Sequence, residues 1–243
     1  MQAWGLTDAG NVRTQNQDDY RIVQLNESDL LAVVCDGMGG AKAGNIASRL
    51  AGEVFAEEVK RSFSREKTPE ELEKVLRTAV TLANISVFEH AQMSEEFGGM
   101  GTTMVACLQS EKATLILNVG DSRAYHVNAD GIHRITTDHS VVELMVMRGE
   151  LTQEQAKTHP SKNLITRAVG TTRQVFADVF HIRPEAGDCI LLCSDGLSNQ
   201  MSDQEILFEI VHGAKKEDCC QRLLEIAKDR GAPDNVTAVL IAL

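Results

Sequence analysis

Short apolar runs, some alternating with polar residues and some unbroken, occur at Tyr20 to Leu25, Leu30 to Cys35, Thr102 to Leu108, Ala113 to Val119, Arg123 to Val127, Cys189 to Cys193 and Val236 to Leu243. Runs of this length and character predict β-strands. Several are separated only by turn residues, which predicts a largely antiparallel arrangement. Apolar residues at helical spacing predict helices over Ala47 to Lys60, Pro69 to about Met93, Asp203 to Val211 and Glu217 to Asp229. Thr68 stands as N-cap of the second helix, Pro69 takes its first position and Glu71 completes a capping box. The last two helices are expected to open on acidic residues, which are favourable at that end. Strands interrupted by two helices and followed by two more fit an α+β fold. The expected architecture is a four-layer α-β-β-α sandwich of two mainly antiparallel sheets flanked by helices.

No repeat, low-complexity tract or Pro/Gly-rich linker marks a boundary, so residues 1–243 are read as one domain. The least regular stretch runs from Asp138 to Phe176, with a short helix near Val141 to Arg148, and such a stretch in a compact domain often carries a binding loop. At 43% apolar content the chain can bury a full core. A formal charge of −11 with one Trp and two Tyr argues against nucleic acid, which needs a basic surface and stacking aromatics. Cys35, Cys107, Cys189, Cys193, Cys219 and Cys220 lie mostly inside apolar runs with no Cys-x-x-Cys pair, and read as reduced packing residues. Met1 to Gly10 does not resemble a leader, and no run is long enough to cross a bilayer. A cytoplasmic protein without a membrane partner is expected, and the absence of a heptad pattern makes a monomer the default.

Three apolar runs end in an aspartate beside glycine or serine, at Asp36-Gly37, at Gly120-Asp121-Ser122 and at Asp195-Gly196, while Asp234-Asn235 stands just before the last strand. Taken singly, each is an ordinary turn signal. Taken together, strand ends that present carboxylates to one point build an all-oxygen site for hard divalent cations, because clustered buried carboxylates need neutralising charge.

Arg13-Thr14-Gln15-Asn16-Gln17-Asp18, Val34 through Gly40, Gly101-Thr102-Thr103, Asn118 through Arg123, Asp138-His139-Ser140, Ser194-Asp195-Gly196 and Asp234 through Thr237 follow one another along nearly the whole chain. This ordered set resembles the metal-dependent Ser/Thr protein phosphatases of type 2C, particularly their compact bacterial members. The resemblance implies hydrolysis of phosphoserine and phosphothreonine by a water activated between two manganese or magnesium ions, in opposition to a bacterial Ser/Thr kinase. The partners it implies are phosphoproteins, including such a kinase and its targets. It assigns Asp36 as a ligand to both metals with the Gly37 carbonyl beside it, Asp195 and Asp234 to one metal, and Asp18 to the other. Asp121, with Asp195, matches the position of a weaker third ion. Arg13 is the phosphate clamp, suited by its forked donors. Asn235 orients a metal ligand or water, or else caps the following strand. Residues from about 141 to 173 correspond to a flap, to which Arg148, Lys162, Arg167 and Arg173 lend positive charge. His139 is read as structural before catalytic, and Gly39-Gly40 as a turn from strand to helix.

The chain departs from relatives at three places. Met38 replaces a histidine proposed as general acid and cannot donate a proton. Gln17 replaces an acidic residue, and Asn199 stands where relatives carry a further aspartate, which weakens the third site. Two other readings stay open at this point: a catalytically idle relative that only binds phosphoprotein or a regulator, and a hydrolase of small phosphate esters.

Overall fold

The computed structural model describes residues 1–39 and 43–243. Strand β1 (Gln2–Asp8), β2 (Asp18–Gln24) and β3 (Leu30–Met38) come first. Helices α1 (Ala43–Ser62) and α2 (Pro69–Ala91) follow, then β4 (Gly101–Thr102), β5 (Met104–Gln109), β6 (Thr114–Val119), β7 (Arg123–Asn128) and β8 (Gly131–Arg134). Two short helices, α3 (Val141–Met147) and α4 (Gln153–Thr158), precede β9 (Asp178–Ile182) and β10 (Cys189–Cys193). The chain closes with α5 (Asp195–Ser198), α6 (Asp203–His212), α7 (Cys219–Asp229) and β11 (Val236–Ala242).

Two antiparallel sheets result, one in the order β1-β11-β10-β7-β8 and one in the order β2-β3-β5-β6-β9, with β4 paired to β3. Alternation along β3 explains the layering. Leu30, Ala32 and Val34 point between the sheets, against Ile190, Leu192, Val239 and Ile241. Leu31, Val33 and Cys35 point outward onto Phe55 and Leu76 of the α1–α2 layer. The other sheet does the same with Leu191, Cys193 and Leu240 against Leu223 and Leu224 of α7. Each fully buried leucine stabilises the fold by roughly 1.5–3 kcal/mol. All six cysteines are free and buried. Among the described residues, no helix is long and apolar enough to cross a membrane.

The predicted α-β-β-α sandwich is therefore present, and the capping box of α2 forms from Thr68 and Glu71 as expected. Several boundaries differ. The α7 helix starts at Cys219 with no acid in its first turn, so Glu217 lies outside it. The predicted strand Thr102 to Leu108 breaks at Thr103, whose backbone and hydroxyl both bond to Asp36. Strands β1, β8 and β9 were not predicted, and each lies at a sheet edge. In β1 the interruption is Gly5, required because a side chain there would start 2.4 Å from the Tyr20 ring, whose hydroxyl donates to the Gly5 carbonyl at 2.9 Å.

Candidate active site

Asp36 and Gly37 do not form a turn: β3 runs straight through them to Met38. The register of β2 against β3 places Asp18 directly opposite Asp36, so two carboxylates face one end of the sandwich from adjacent strands. The backbone of Asp36 is held on both sides. Its N–H donates to Thr103 Oγ1 at 3.0 Å, and its carbonyl accepts from Thr103 N at 2.8 Å and Thr102 Oγ1 at 2.9 Å. Thr103 Oγ1 also lies 2.7 Å from Ser122 Oγ, which ties the Gly-Thr-Thr segment to the Asp121 turn. Gly120 in that turn has φ +106°, and a side chain there would meet the Thr103 methyl at 2.6 Å, so glycine is needed on both counts.

Asp18 joins the two sheets. Its Oδ2 accepts from Ser194 Oγ at 2.7 Å and from Thr237 Oγ1 at 2.6 Å, both on the opposite sheet's β10–β11 end. Its Oδ1 is buried and has no hydrogen-bond partner, an arrangement that a cation would relieve. Burial pushes the Asp18 carboxyl up to about 7, aided by Asp195 and Asp234 and opposed by the two hydroxyls. Burial, then Asp195 and Asp138, pushes Asp121 up to about 8. Asp36 is held well above the usual carboxylate range by burial and by the charges of Asp18, Asp195, Asp121 and Asp234. Asp195 is raised by burial and by Asp234, with a hydrogen bond to Asp36 working in the other direction. Asp36 thus feels the charge of each of the other four carboxylates.

The donor set is all oxygen and anionic, with Asp18 buried and the others half-buried, and it suits a hard divalent cation. Gly37 fits close backbone approach as well: a side chain there would start 2.1 Å from the Gly44 carbonyl. Among the described residues, no three acidic, histidine or cysteine side chains close onto a single point.

Arg13 donates from Nη2 to Asp234 Oδ2 at 2.9 Å, at an exposed position beside the cluster. His139 is buried, accepts at Nδ1 from Gly120 N at 3.0 Å and lies 3.0 Å through Nε2 from Asp178 Oδ2. It holds the Asp121 turn.

Residues 10–240 match the family described as protein phosphatase 2C. The chain belongs to the protein phosphatase 2C family. It is 32% identical over 241 residues to the serine/threonine phosphatase stp of Listeria innocua, covering 99% of this chain and 95% of that one. The crystal structure of serine/threonine phosphatase Stp1 from Staphylococcus aureus superposes with TM-score 0.88 at 39% identity, over 99% of this chain and 94% of that chain. The catalytic domain of serine threonine protein phosphatase PstP in complex with two manganese ions superposes with TM-score 0.82 at 31% identity, over 98% and 96% of the respective chains. The class of activity is accordingly metal-dependent protein serine/threonine phosphatase, and a divalent metal is its cofactor.

Measured against this protein phosphatase 2C frame, Asp18, Asp36, Gly37, Asp121, Asp195 and Asp234 come together at one end of the sandwich, with Arg13 at its rim. Asn235, expected to orient a metal ligand or water or to cap the last strand, bonds three backbone groups. Its Oδ1 accepts from Gln17 N at 2.8 Å, and its Nδ2 donates to the Ala9 and Gln15 carbonyls, both at 3.0 Å. With these three bonds its amide clamps the loop that carries Arg13 and leads into Asp18. Asn199 donates from Nδ2 to Asp195 Oδ2 at 3.0 Å, so its amide nitrogen faces that carboxylate. Arg167 is held by Asp178 at 3.0 Å. Gly39 has φ +131°, and Gly40 lies outside the described residues. Thr103, Ser122, Ser194 and Thr237 stood in the quoted motifs without a role; Ser122 and Ser194 adjoin Asp121 and Asp195, whereas Thr103 has no acid beside it and Thr237 lies inside the last strand.

Proposed function

We propose that this chain removes phosphate from phosphoserine and phosphothreonine in proteins using two manganese or magnesium ions. Asp18, Asp36, Asp195, Asp234 and the Gly37 carbonyl would hold them. The observation that carries this reading is Asp18 standing directly opposite Asp36 on the neighbouring strand, with one oxygen of Asp18 buried and unpartnered. When bound, such ions activate a water and neutralise charge on the phosphoryl group. Asp18 and Asp36 must lose the protons that burial favours before they can serve as ligands, so metal uptake releases protons and strengthens with pH. Asp121 with Asp195 would take a weaker third ion. Arg13 receives the substrate phosphate: its contact with Asp234 uses Nη2 and aims the guanidinium, leaving other N–H groups for phosphate oxygens. Asn235 acts by holding the Arg13 loop in place.

Residues 1–243 work as one catalytic domain, with about 141–173 as its flap. The substrates are phosphoproteins, among them a Ser/Thr kinase and its targets, met in the cytoplasm by a monomer. The test is phosphate release from a phosphothreonine peptide with manganese, with magnesium and with chelator, beside Asp36→Asn. Metal-dependent release that falls by about 10³-fold or more in Asp36→Asn is expected. Absence of release by folded, metal-loaded wild-type protein on varied phosphopeptides would leave binding without turnover.

A further inference from the structure

Four buried or half-buried charges form a chain along one wall of the groove beside Asp121 and Asp195. Arg123, at the start of β7, grips Asp138 with Nε 3.1 Å from both carboxylate oxygens and Nη2 2.6 Å from Oδ2. Arg134, at the end of β8, lies 3.7 Å from the same Oδ2 and donates from Nη2 to Glu143 Oε1 at 2.7 Å. Glu143 belongs to α3 and is itself buried. The network therefore runs from the residue two places beyond Asp121 to the first helix of the irregular segment.

Apart from its Ser140 cap and the bond from Val141 N to the Leu164 carbonyl at 2.8 Å, the helix α3 is held by little apolar burial. Of its residues, only Val142 and Glu143 are buried, and its apolar Leu144 and Met147 face outward. With one valine buried and Val141, Met145 and Val146 only half-buried, its apolar stripe is a narrow one for setting orientation. Buried ion pairs lose much of their attraction to desolvation, so this network is a weak source of net stability and a strong constraint on geometry. Removing one partner leaves an uncompensated buried charge, whereas an ion pair on the open surface could be lost almost without effect.

We propose that Arg134 and Glu143 are positioning residues that set α3 as one wall of the subsite for the polypeptide around the phosphorylated residue. Neither belongs to the residues assigned to the metals or to the phosphate. This rests on the phosphatase reading, and it places the specificity for protein over small ester in an ion pair remote from the reacting atoms.

The experiment compares steady-state kinetics of Glu143→Gln, Arg134→Gln, the double variant and Arg134→Lys on a phosphothreonine peptide and on a small aryl phosphate, at saturating manganese. Each single glutamine variant should raise KM for the peptide by about fivefold or more, the double variant no further, and Arg134→Lys should recover part of the loss. Kinetics on the aryl phosphate should stay within about twofold. Hydrogen exchange at the Val142 to Met147 amides should quicken in the glutamine variants while β10 and β11 stay protected. Equal losses on both substrates, additive effects in the double variant, or unchanged peptide KM would overturn the proposal. So would a global loss of protection in the glutamine variants, which would make the pair a fold-wide support. Wild-type turnover of the aryl phosphate separates these outcomes from failure of the phosphatase reading itself.

Discussion

The floor of the active site and the segment from His139 to Phe176 are held by different physics. On the floor, Asp36 sits in a strand with neighbours on both sides, and its backbone N–H and carbonyl are both claimed by Thr102 and Thr103. Asp18 is locked between two hydroxyls from the opposite sheet. Movement there would break several buried bonds at once. Across the groove, α3 and α4 bury only Val142, Glu143 and Ala156 among their residues, while Leu144, Met147, Leu164 and Phe176 face outward. That side is tied by ion pairs and by backbone bonds at its base, such as Thr166 N to the His139 carbonyl at 2.7 Å and Val169 N to the Thr102 carbonyl at 2.8 Å. On the readings proposed above, the difference is a division of labour: chemistry that needs sub-ångström placement is built on sheet register, and recognition of variable polypeptide where few apolar contacts resist adjustment.

The widest gap between the two regions should appear on titration without metal. A carboxyl whose pKa is higher folded than unfolded keeps its proton in the folded state where the unfolded chain has already lost it. Stability of the chelated protein is then greatest below the unfolded value near 3.8 and falls as pH rises through about 7 for Asp18 and about 8 for Asp121. Unfolding by denaturant at pH 5.5 and pH 8.5 should differ by about 5 kcal/mol with chelator, and by much less with manganese. A flat profile with chelator would mean that the carboxylates are not crowded as described.

Thr103→Val should come next. It deprives Asp36 N and Ser122 Oγ of a buried partner, so a loss of about 2 kcal/mol in denaturant unfolding, with at least about tenfold lower metal-dependent turnover, is expected. His139→Ala leaves Gly120 N unpartnered and should cost about 1.5 kcal/mol, with a larger effect on any manganese requirement above two ions than on the two-ion activity. The smallest effect belongs to the other region: Met147→Ser, at a residue 69% exposed, should change stability by less than about 0.5 kcal/mol. A Met147→Ser loss as large as that of Thr103→Val would erase the contrast between floor and segment.

Legibility in the sequence followed the same division. The strand Cys189–Cys193 and the start of the helix at Pro69 were readable to the residue, because an unbroken apolar run and a capping box are local statements. The acids of the site were readable because they stand at the ends of such runs. What Asp36-Gly37 does was not: locally it spells a turn, yet pairing with Asp18 on one side and Thr102 on the other keeps it extended. The edge strands β1, β8 and β9 escaped for a related reason, since half-exposed edges carry polar residues and glycine and depend on a neighbour for their conformation.

By itself, then, the order of apolar runs and acidic strand ends determined the layering of this protein, its family resemblance and the roster of its carboxylates. Only the tertiary structure decided that Asn235 clamps a loop, that Ser194 and Thr237 bind Asp18 from the opposite sheet, and that Arg134 reaches Glu143. Those assignments depend on hydroxyl, amide and guanidinium groups far apart in the chain finding unsatisfied buried partners, and hydrogen-bond geometry of that kind leaves almost no periodic trace in a sequence.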